Sequence, residues 1–313
     1  MTGQITVDHR HGHSLGVGVG SVEILRYVYG AQMPQFEAPK PYLHPIRTLS
    51  GALVSAYRPW DHRWHKGLQL TWSHVSGQNF WGGNTYVHGT GYVPLDNVGS
   101  MRHDGFDAID HDGTELTLTE NLTWVTQAGE SWVSETRLLK VHSVDPDGGS
   151  YAIDVASELT NVRGSDLELG SPTTHGRENA GYTGWFWRGP RNLTGGQVLA
   201  ADGSGPEAMG TGSAWLAYTG SNDDIDGEVT ILAVAGSTSS GELKWFVRND
   251  PFPAIAPSPA FHEEIVLGAG ERLSLAHRFV IADGAWGRDQ VEGYLAGASA
   301  GGDEAGGGEG FGG

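Results

Sequence analysis

The chain has 313 residues, no cysteine, and 37 acidic against 19 basic residues, a formal charge of -18. That charge repels phosphate backbones and argues against nucleic acid as a partner, while the lack of cysteine excludes disulfides and thiol catalysis. No run approaches the roughly 18 apolar residues that span a bilayer, and MTGQITVDHRHGH lacks the apolar core of a signal peptide, so the expected location is cytoplasmic with no membrane partner.

Glycine (49) and proline (14) make up a fifth of the chain and cut it into short β-branched and aromatic segments, the pattern of an all-β protein. The N-terminal DHRHGH sits in a terminus where it would bind metal only adventitiously. SVEILRYVYG and GLQLTWSHV read as strands. Between Leu116 and Val162 the spacing predicts three long strands joined by turns at QAGE and DPDGGS, an antiparallel meander with no room for crossover helices. LSLAHRFVI puts Leu273, Leu275, His277, Phe279 and Ile281 on one strand face, which makes His277 a core residue, and EIVLGAGERLSL before it reads as a hairpin. Helical spacing appears only near RDQVEGYLAGA, where Val291, Tyr294 and Leu295 share a face. No linker and no internal repeat divides the chain. The expectation is one domain over 1–296, a large antiparallel β-sandwich with few short helices, followed by a flexible Gly-rich acidic tail over 297–313.

Residues 81–100 and 169–196 are rich in Gly, Pro and Asn and too long for hairpin turns; long loops on a β scaffold are where sites are built. Just before the first of them, RPWDHRWHKG gathers Arg58, Asp61, His62, His65 and Lys66. His62 and His65, three apart, converge only on an irregular segment. They would then be acid/base groups, or two metal ligands with His44 of PYLHPIRTLSG as the third. Otherwise Trp60 and Trp64 are packing anchors and the polar residues satisfy one another. NFWGGNTYVHG supplies Asn79 and Trp81 beside two glycines, a mixture that suits a sugar's apolar face and hydroxyls as well as it suits a buried turn. SPTTHGRENAGYTGWFWRGPRN brings His175, Arg177, Glu178, Asn179, Tyr182 and Trp187, in a segment that reads as too glycine-rich for a continuous buried strand. His175 is the first choice there as acid or base, and Arg177 as an anion or hydroxyl clamp. WFVRND adds Arg248, and FHEEIV adds Glu263 and Glu264, which face opposite ways unless the strand bulges.

HPIRTLSG, RPWDHRWHKGL, NFWGGNTYV and GRENAGYTGWFWRGPRN resemble the bacterial family called PmoA-like after a methane oxygenase subunit. The likeness runs from about Pro41 to about Asp283. Subunits of that name lie in membranes, so the label is a misnomer for a chain without a spanning segment. The closing HEEIVLGAGERLSLAHRFVIADG is similar to the galactose-mutarotase-like supersandwich. In mutarotases a mid-chain histidine is the acid and a glutamate near the C-terminus the base; by that resemblance His175 and one of Glu263 or Glu264 would take those roles.

The sequence therefore points to a carbohydrate-active enzyme working by acid/base chemistry, an epimerase, lyase or hydrolase, on a small-molecule sugar or glycoside. His62, His65, His175, Glu178 and Glu264 are the candidate catalytic groups. His44, Arg58, Asp61, Lys66, Asn79, Trp81, Arg177, Asn179, Tyr182, Trp187 and Arg248 are the candidate binding groups, Trp81 or Trp187 stacking on the ring. The alternative is a sugar-binding or sugar-sensing protein without turnover. A metal-dependent oxygenase on His44, His62 and His65 ranks third. No cofactor is named by a motif, and the oligomeric state is open.

Overall fold

The computed structural model describes residues 3–30, 32–203 and 205–302, with side chains of the last helix described to residue 298. Two eight-stranded antiparallel sheets dominate them. The first runs, edge to edge, through Ile5–Arg10, Ser14–Val19, Val22–Val28, Tyr42–Ile46, Leu68–Thr71, Gly184–Arg188, Ala254–Ser258 and Lys244–Arg248. The second runs through Gln197–Ala200, Trp215–Asn222, Gly227–Thr238, Arg272–Asp283, Ser150–Asn161, Ser131–Asp145, Leu116–Val125 and Ser100–His111. The predicted meander is present, with Leu118 opposite Leu139 and Leu139 opposite Val155. A three-stranded sheet (Ile265–Leu267, Leu167–Gly170, His74–Val75) and a ribbon (Thr85–Val87, Gly91–Val93) complete the β structure. No helix of the described residues is long and apolar enough to cross a membrane.

Period-two alternation explains how the sheets close on each other. Leu118, Trp124, Val141, Ile153, Val155, Leu275, Phe279 and Ile281 of the second sheet meet Leu15, Val17, Leu25, Leu68, Leu70, Trp185 and Trp187 of the first in one continuous core. His277 lies in the same alternation and is buried, as its position predicts. Inside this core runs a polar network: Arg137 Nε donates to Glu135 (2.8 Å), Trp124 Nε1 donates to the same carboxylate (2.8 Å), and Arg137 Nη1 donates to the Tyr27 hydroxyl (3.0 Å), which donates on to Glu120. Because Arg137 and Glu135 are both buried, each compensates the other's charge where water cannot reach it.

Three expectations change. EIVLGAGERLSL turns as predicted but is not a hairpin: Leu267 pairs with Leu167, whereas Leu273 pairs with Leu159, so the turn hands the chain from one sheet to another. GWFWR, read as part of a glycine-rich loop, is a wholly buried strand in the middle of the first sheet, because its five residues are enough to cross the layer between flanking turns. The helix runs Arg288–Gly302, past the position where the tail was expected to start, and Val291 packs on Trp215, Leu232 and Val280 on the outer face of the second sheet. The tail expectation for 303–313 lies outside the described residues.

Candidate functional site: an aromatic cavity on the outer face of the first sheet

Where Trp185 and Trp187 point into the sandwich, Phe186 between them points the other way. The same holds for Lys244–Arg248: Trp245 and Val247 enter the core, and Phe246 faces outward. Between these strands in the sheet lies Ala254–Ser258, which presents Ala254 and Ala256 to the outer face. One phenylalanine on either side of two alanines leaves a hollow. Its volume is about 350 Å³, the size of a small-molecule site, and it is walled by Phe36, Trp64, Trp81, Tyr182, Phe186, Phe246 and Phe252, with His62, His65, Arg177 and Arg248 as its charged or titratable groups.

The wall from Trp81 to Gly83 is built by buried polar contacts. Asn79 Oδ1 accepts from the Trp81 and Gly82 amides (2.9 Å each), and its Nδ2 donates to the Thr85 hydroxyl (3.1 Å). Lys40 Nζ donates to the carbonyls of Ala38 (2.8 Å) and Trp81 (3.0 Å). The glycine pair has a steric reason: a Cβ on Gly82 or Gly83 would come within 2.6 or 2.8 Å of the Trp64 side chain, and both residues have positive φ. Beneath this wall Glu37, 2% exposed, accepts from Arg58 Nε (2.9 Å) and pairs with the fully buried Lys66 (3.1 Å). Burial pushes the Lys66 ammonium down to about 8, against the pull of Glu37.

At the lip, Asp61 faces His62. Oδ2 and Nδ1 are 3.3 Å apart, an ion-pair distance without hydrogen-bond alignment, and Arg191 Nη2 donates to the other carboxylate oxygen at 2.7 Å. Burial lowers the His62 pKa against the opposing charge of Asp61, so the imidazole is neutral at pH 7. His65 packs 4.8 Å from His62, edge-on to Trp81 (5.0 Å), with neither ring nitrogen hydrogen-bonded and both shut from water. Burial, then His62 and Arg188, holds its pKa well below the usual imidazole range.

An unpaired imidazole in an aromatic wall is costly, and a phenyl ring of similar shape removes that cost. His65→Phe should therefore raise stability by about 1 kcal/mol at neutral pH. The sign with pH follows from linkage. A histidine whose native pKa is depressed takes up protons only when unfolded, so its presence destabilises the fold increasingly below its ordinary value of 6.5. The melting-temperature gain of the variant should be larger at pH 5 than at pH 8; a gain independent of pH would show that His65 is solvated.

The cavity gathers His62, His65, Trp81, Arg177, Tyr182 and Arg248 from the sequence candidates. Asp61 stands behind His62, and Asn79 shapes the wall without lining it. The others are corrected by their contacts. Arg58 and Lys66 are engaged by Glu37 rather than free for a ligand. Trp187 is fully buried in the sandwich core, its Nε1 donating to Val54 O, so it cannot stack on a sugar. Trp60, a supposed anchor, is 81% exposed. His44 stacks on Tyr57 at 5.0 Å and its Nδ1 meets Ser55 Oγ at 2.8 Å. No group of three or more His, Asp or Glu among the described residues is placed to hold a metal, so His44, His62 and His65 do not form a ligand set. His175 and Glu264 do meet, at 3.1 Å, with His175 stacked on His74 at 4.1 Å, but neither lines the cavity. Glu178 and Asn179 are exposed on the same loop and also lie off the lining.

The model of a family of unknown function, DUF6807, matches residues 14–296. The chain belongs to that family. The match is not under the PmoA-like name that the motifs suggested. No curated protein matches. Among solved structures, the chain is similar to a TPR-domain containing protein from Parabacteroides distasonis ATCC 8503, with 10% identity, a TM-score of 0.34, and 88% of this chain aligned to 48% of the other. It is also similar to the GH36 alpha-galactosidase AgaA from Geobacillus stearothermophilus, with 13% identity, a TM-score of 0.40, and 84% of this chain aligned to 40% of the other. The chain thus spans less than half of either structure, and neither likeness bears on activity.

In this family member the cavity also contains residues that the sequence did not single out: Phe36, Tyr92, Phe186, Phe246 and Phe252. A signal for two of them was present. WFWR at 185–188 and WFVR at 245–248 are nearly the same tetrapeptide, on strands that flank one common neighbour. Alternation then puts Phe186 with Arg188, and Phe246 with Arg248, on the same face.

Proposed function

We propose that the cavity is the active site of a carbohydrate-active enzyme that moves a proton at a small sugar or glycoside. The observation that carries this reading is the Asp61–His62 pair at the lip of an aromatic hollow. A neutral imidazole whose Nδ1 side faces a carboxylate has its Nε2 available to take a proton from a ring carbon or hydroxyl and to return it, and Asp61 stabilises the imidazolium formed in between. Arg191 holds Asp61 for that task. Trp81, Tyr182 and Phe252 supply the apolar surface on which a ring can lie; Asn84, Arg177 and Arg248 supply directional donors. Epimerisation, elimination and hydrolysis all begin or end with such a transfer.

The second reading, binding without turnover, is favoured by one feature: among the described residues no carboxylate lines the cavity, and the titratable neighbour of His62, His65, has both ring nitrogens shut from water. Proton NMR of the purified protein with a panel of glycosides, sugar acids and oxidised sugars separates the two. Substrate consumption, or exchange of a ring proton for deuterium in heavy water, supports the enzyme. Saturable binding with neither supports the binding protein and removes the proton-transfer role.

A further inference from the structure

The charge around the cavity is opposite to that of the molecule. In a chain with 37 acidic and 19 basic residues, the lining holds Arg177 and Arg248, two neutral histidines and no Asp or Glu among the described residues. Neither arginine has an acidic partner there. Arg177 Nη1 donates to the hydroxyls of Tyr182 (2.9 Å) and Tyr92, and Arg248 lies over the rings of Phe246 (5.5 Å) and Phe252 (5.9 Å). Burial and the nearby charge of Arg177 both lower the Arg248 pKa. A third guanidinium adds to the field. Arg188, fully buried, stacks under Phe252 at 4.0 Å with Nε and Nη2 unpartnered, and the nearby carboxylate of Asp61 is held by Arg191.

Aromatic stacking alone accounts for one arginine on one ring. It does not account for two in one lining without a carboxylate, where burial and the charge of Arg177 both act against the Arg248 cation. The fold sets this up deliberately in sequence terms: the two W-F-x-R strands bring Arg188 and Arg248 to the same face on either side of Ala254–Ser258.

We infer that the cavity takes a ligand bearing an anionic oxygen group, a carboxylate or a phosphate ester, beside its ring, with Arg177 and Arg248 as the counter-charges. This rests on the proposed use of the cavity as a carbohydrate site and adds the charge of what it binds. Arginine forks match both oxyanions in geometry, and an anion between two guanidiniums relieves their repulsion as well as forming hydrogen bonds. The ring of the ligand then lies against Trp81 and Phe252, within reach of His62.

The test is binding to the full chain, followed by thermal shift and calorimetry, of glucuronate, glucose 6-phosphate, methyl glucoside and phenylacetate. Glucuronate or glucose 6-phosphate should raise the melting temperature where methyl glucoside at equal concentration does not, and which of the two does so identifies the oxyanion. Arg248→Gln should weaken that binding by about tenfold to a hundredfold, with Arg248→Lys recovering part of it. Arg163→Gln, which removes an exposed arginine stacked on Trp132, should leave it unchanged. Equal stabilisation by methyl glucoside, or no stabilisation by any anionic probe, overturns the inference. Turnover of a neutral glycoside without preference for anions would remove it and leave the acid/base reading standing. Stabilisation by phenylacetate alone would keep the anion site and remove the carbohydrate.

Discussion

Glu37→Gln is expected to cost about 3–5 kcal/mol of folding stability, the range for breaking a buried ion pair. Glu37 and Lys66 are 2% and 0% exposed, and their 3.1 Å contact leaves the ammonium with this carboxylate as its acidic partner. An amide of the same shape keeps the packing and removes the charge. Lys66 is then buried without compensation and sheds its proton, and Arg58 loses its 2.9 Å bond. The measurement is the denaturant midpoint, which should fall while the slope of the transition stays fixed. A second substitution isolates the cause: Lys66→Met in the Glu37→Gln background should recover much of the loss, because a buried pair replaced as a whole by neutral groups costs little. A loss under about 1 kcal/mol, or no recovery, would mean that the pair is solvated in solution. The pH dependence has a definite sign. Burial raises the Glu37 pKa, but the Arg58 hydrogen bond and the Lys66 charge outweigh it and hold the group below its ordinary 4.5. Its contribution is therefore full above pH 4.5 and is lost as the pH falls through the native value. Lys40 stands beside this cluster and holds the Trp81 carbonyl, so the variant should also loosen the cavity wall and weaken ligand binding.

His62→Asn is expected to lower kcat by about 10²–10⁴ with little change in melting temperature. The contrast follows from position. The His62 side chain is one-third exposed at the lip, so its removal opens no cavity in the core, yet it carries the proton in the proposed reaction. Asp61→Asn should lower kcat less, since it removes orientation and imidazolium stabilisation but keeps the base. Single-turnover kinetics on the substrate found by NMR would measure both. If His62→Asn raises KM and spares kcat, His62 is a binding group and the proton is carried elsewhere. The His175–Glu264 pair would then be the next place to look, as two titratable groups already 3.1 Å apart. A fall in kcat accompanied by a comparable fall in melting temperature would indicate general loosening rather than loss of the proton carrier.

Much of the site's composition was readable in the chain, and its arrangement was not. Arg177, Tyr182 and Arg248 stand out in the chain as donors in glycine-rich or strand-end segments, and all three line the cavity. Arg58 and Lys66 stand out in the same way but pair with Glu37, whose buried carboxylate sits in a QFE turn with no motif to announce it. Trp187 looked as suitable a platform as Trp81. What separated them was the sheet face: in GWFWR the two tryptophans and the phenylalanine alternate, and only packing against the second sheet turned the tryptophans inward.

The sequence by itself determined the class of the fold, because period-two alternation and frequent turn residues leave a 313-residue chain with little alternative to stacked antiparallel sheets. It determined the meander from Leu116 to Asn161, where strands adjacent in the chain pair with each other. It also determined the core role of His277. Only the tertiary structure decided which face of the first sheet stays open, which charges neutralise one another, and that Arg177 and Arg248 meet in a cavity whose described lining holds no acid. Those outcomes depend on contacts between segments far apart in the chain. Alternation states that neighbours point in opposite directions, but the side that becomes interior is fixed by the other sheet that comes to cover it.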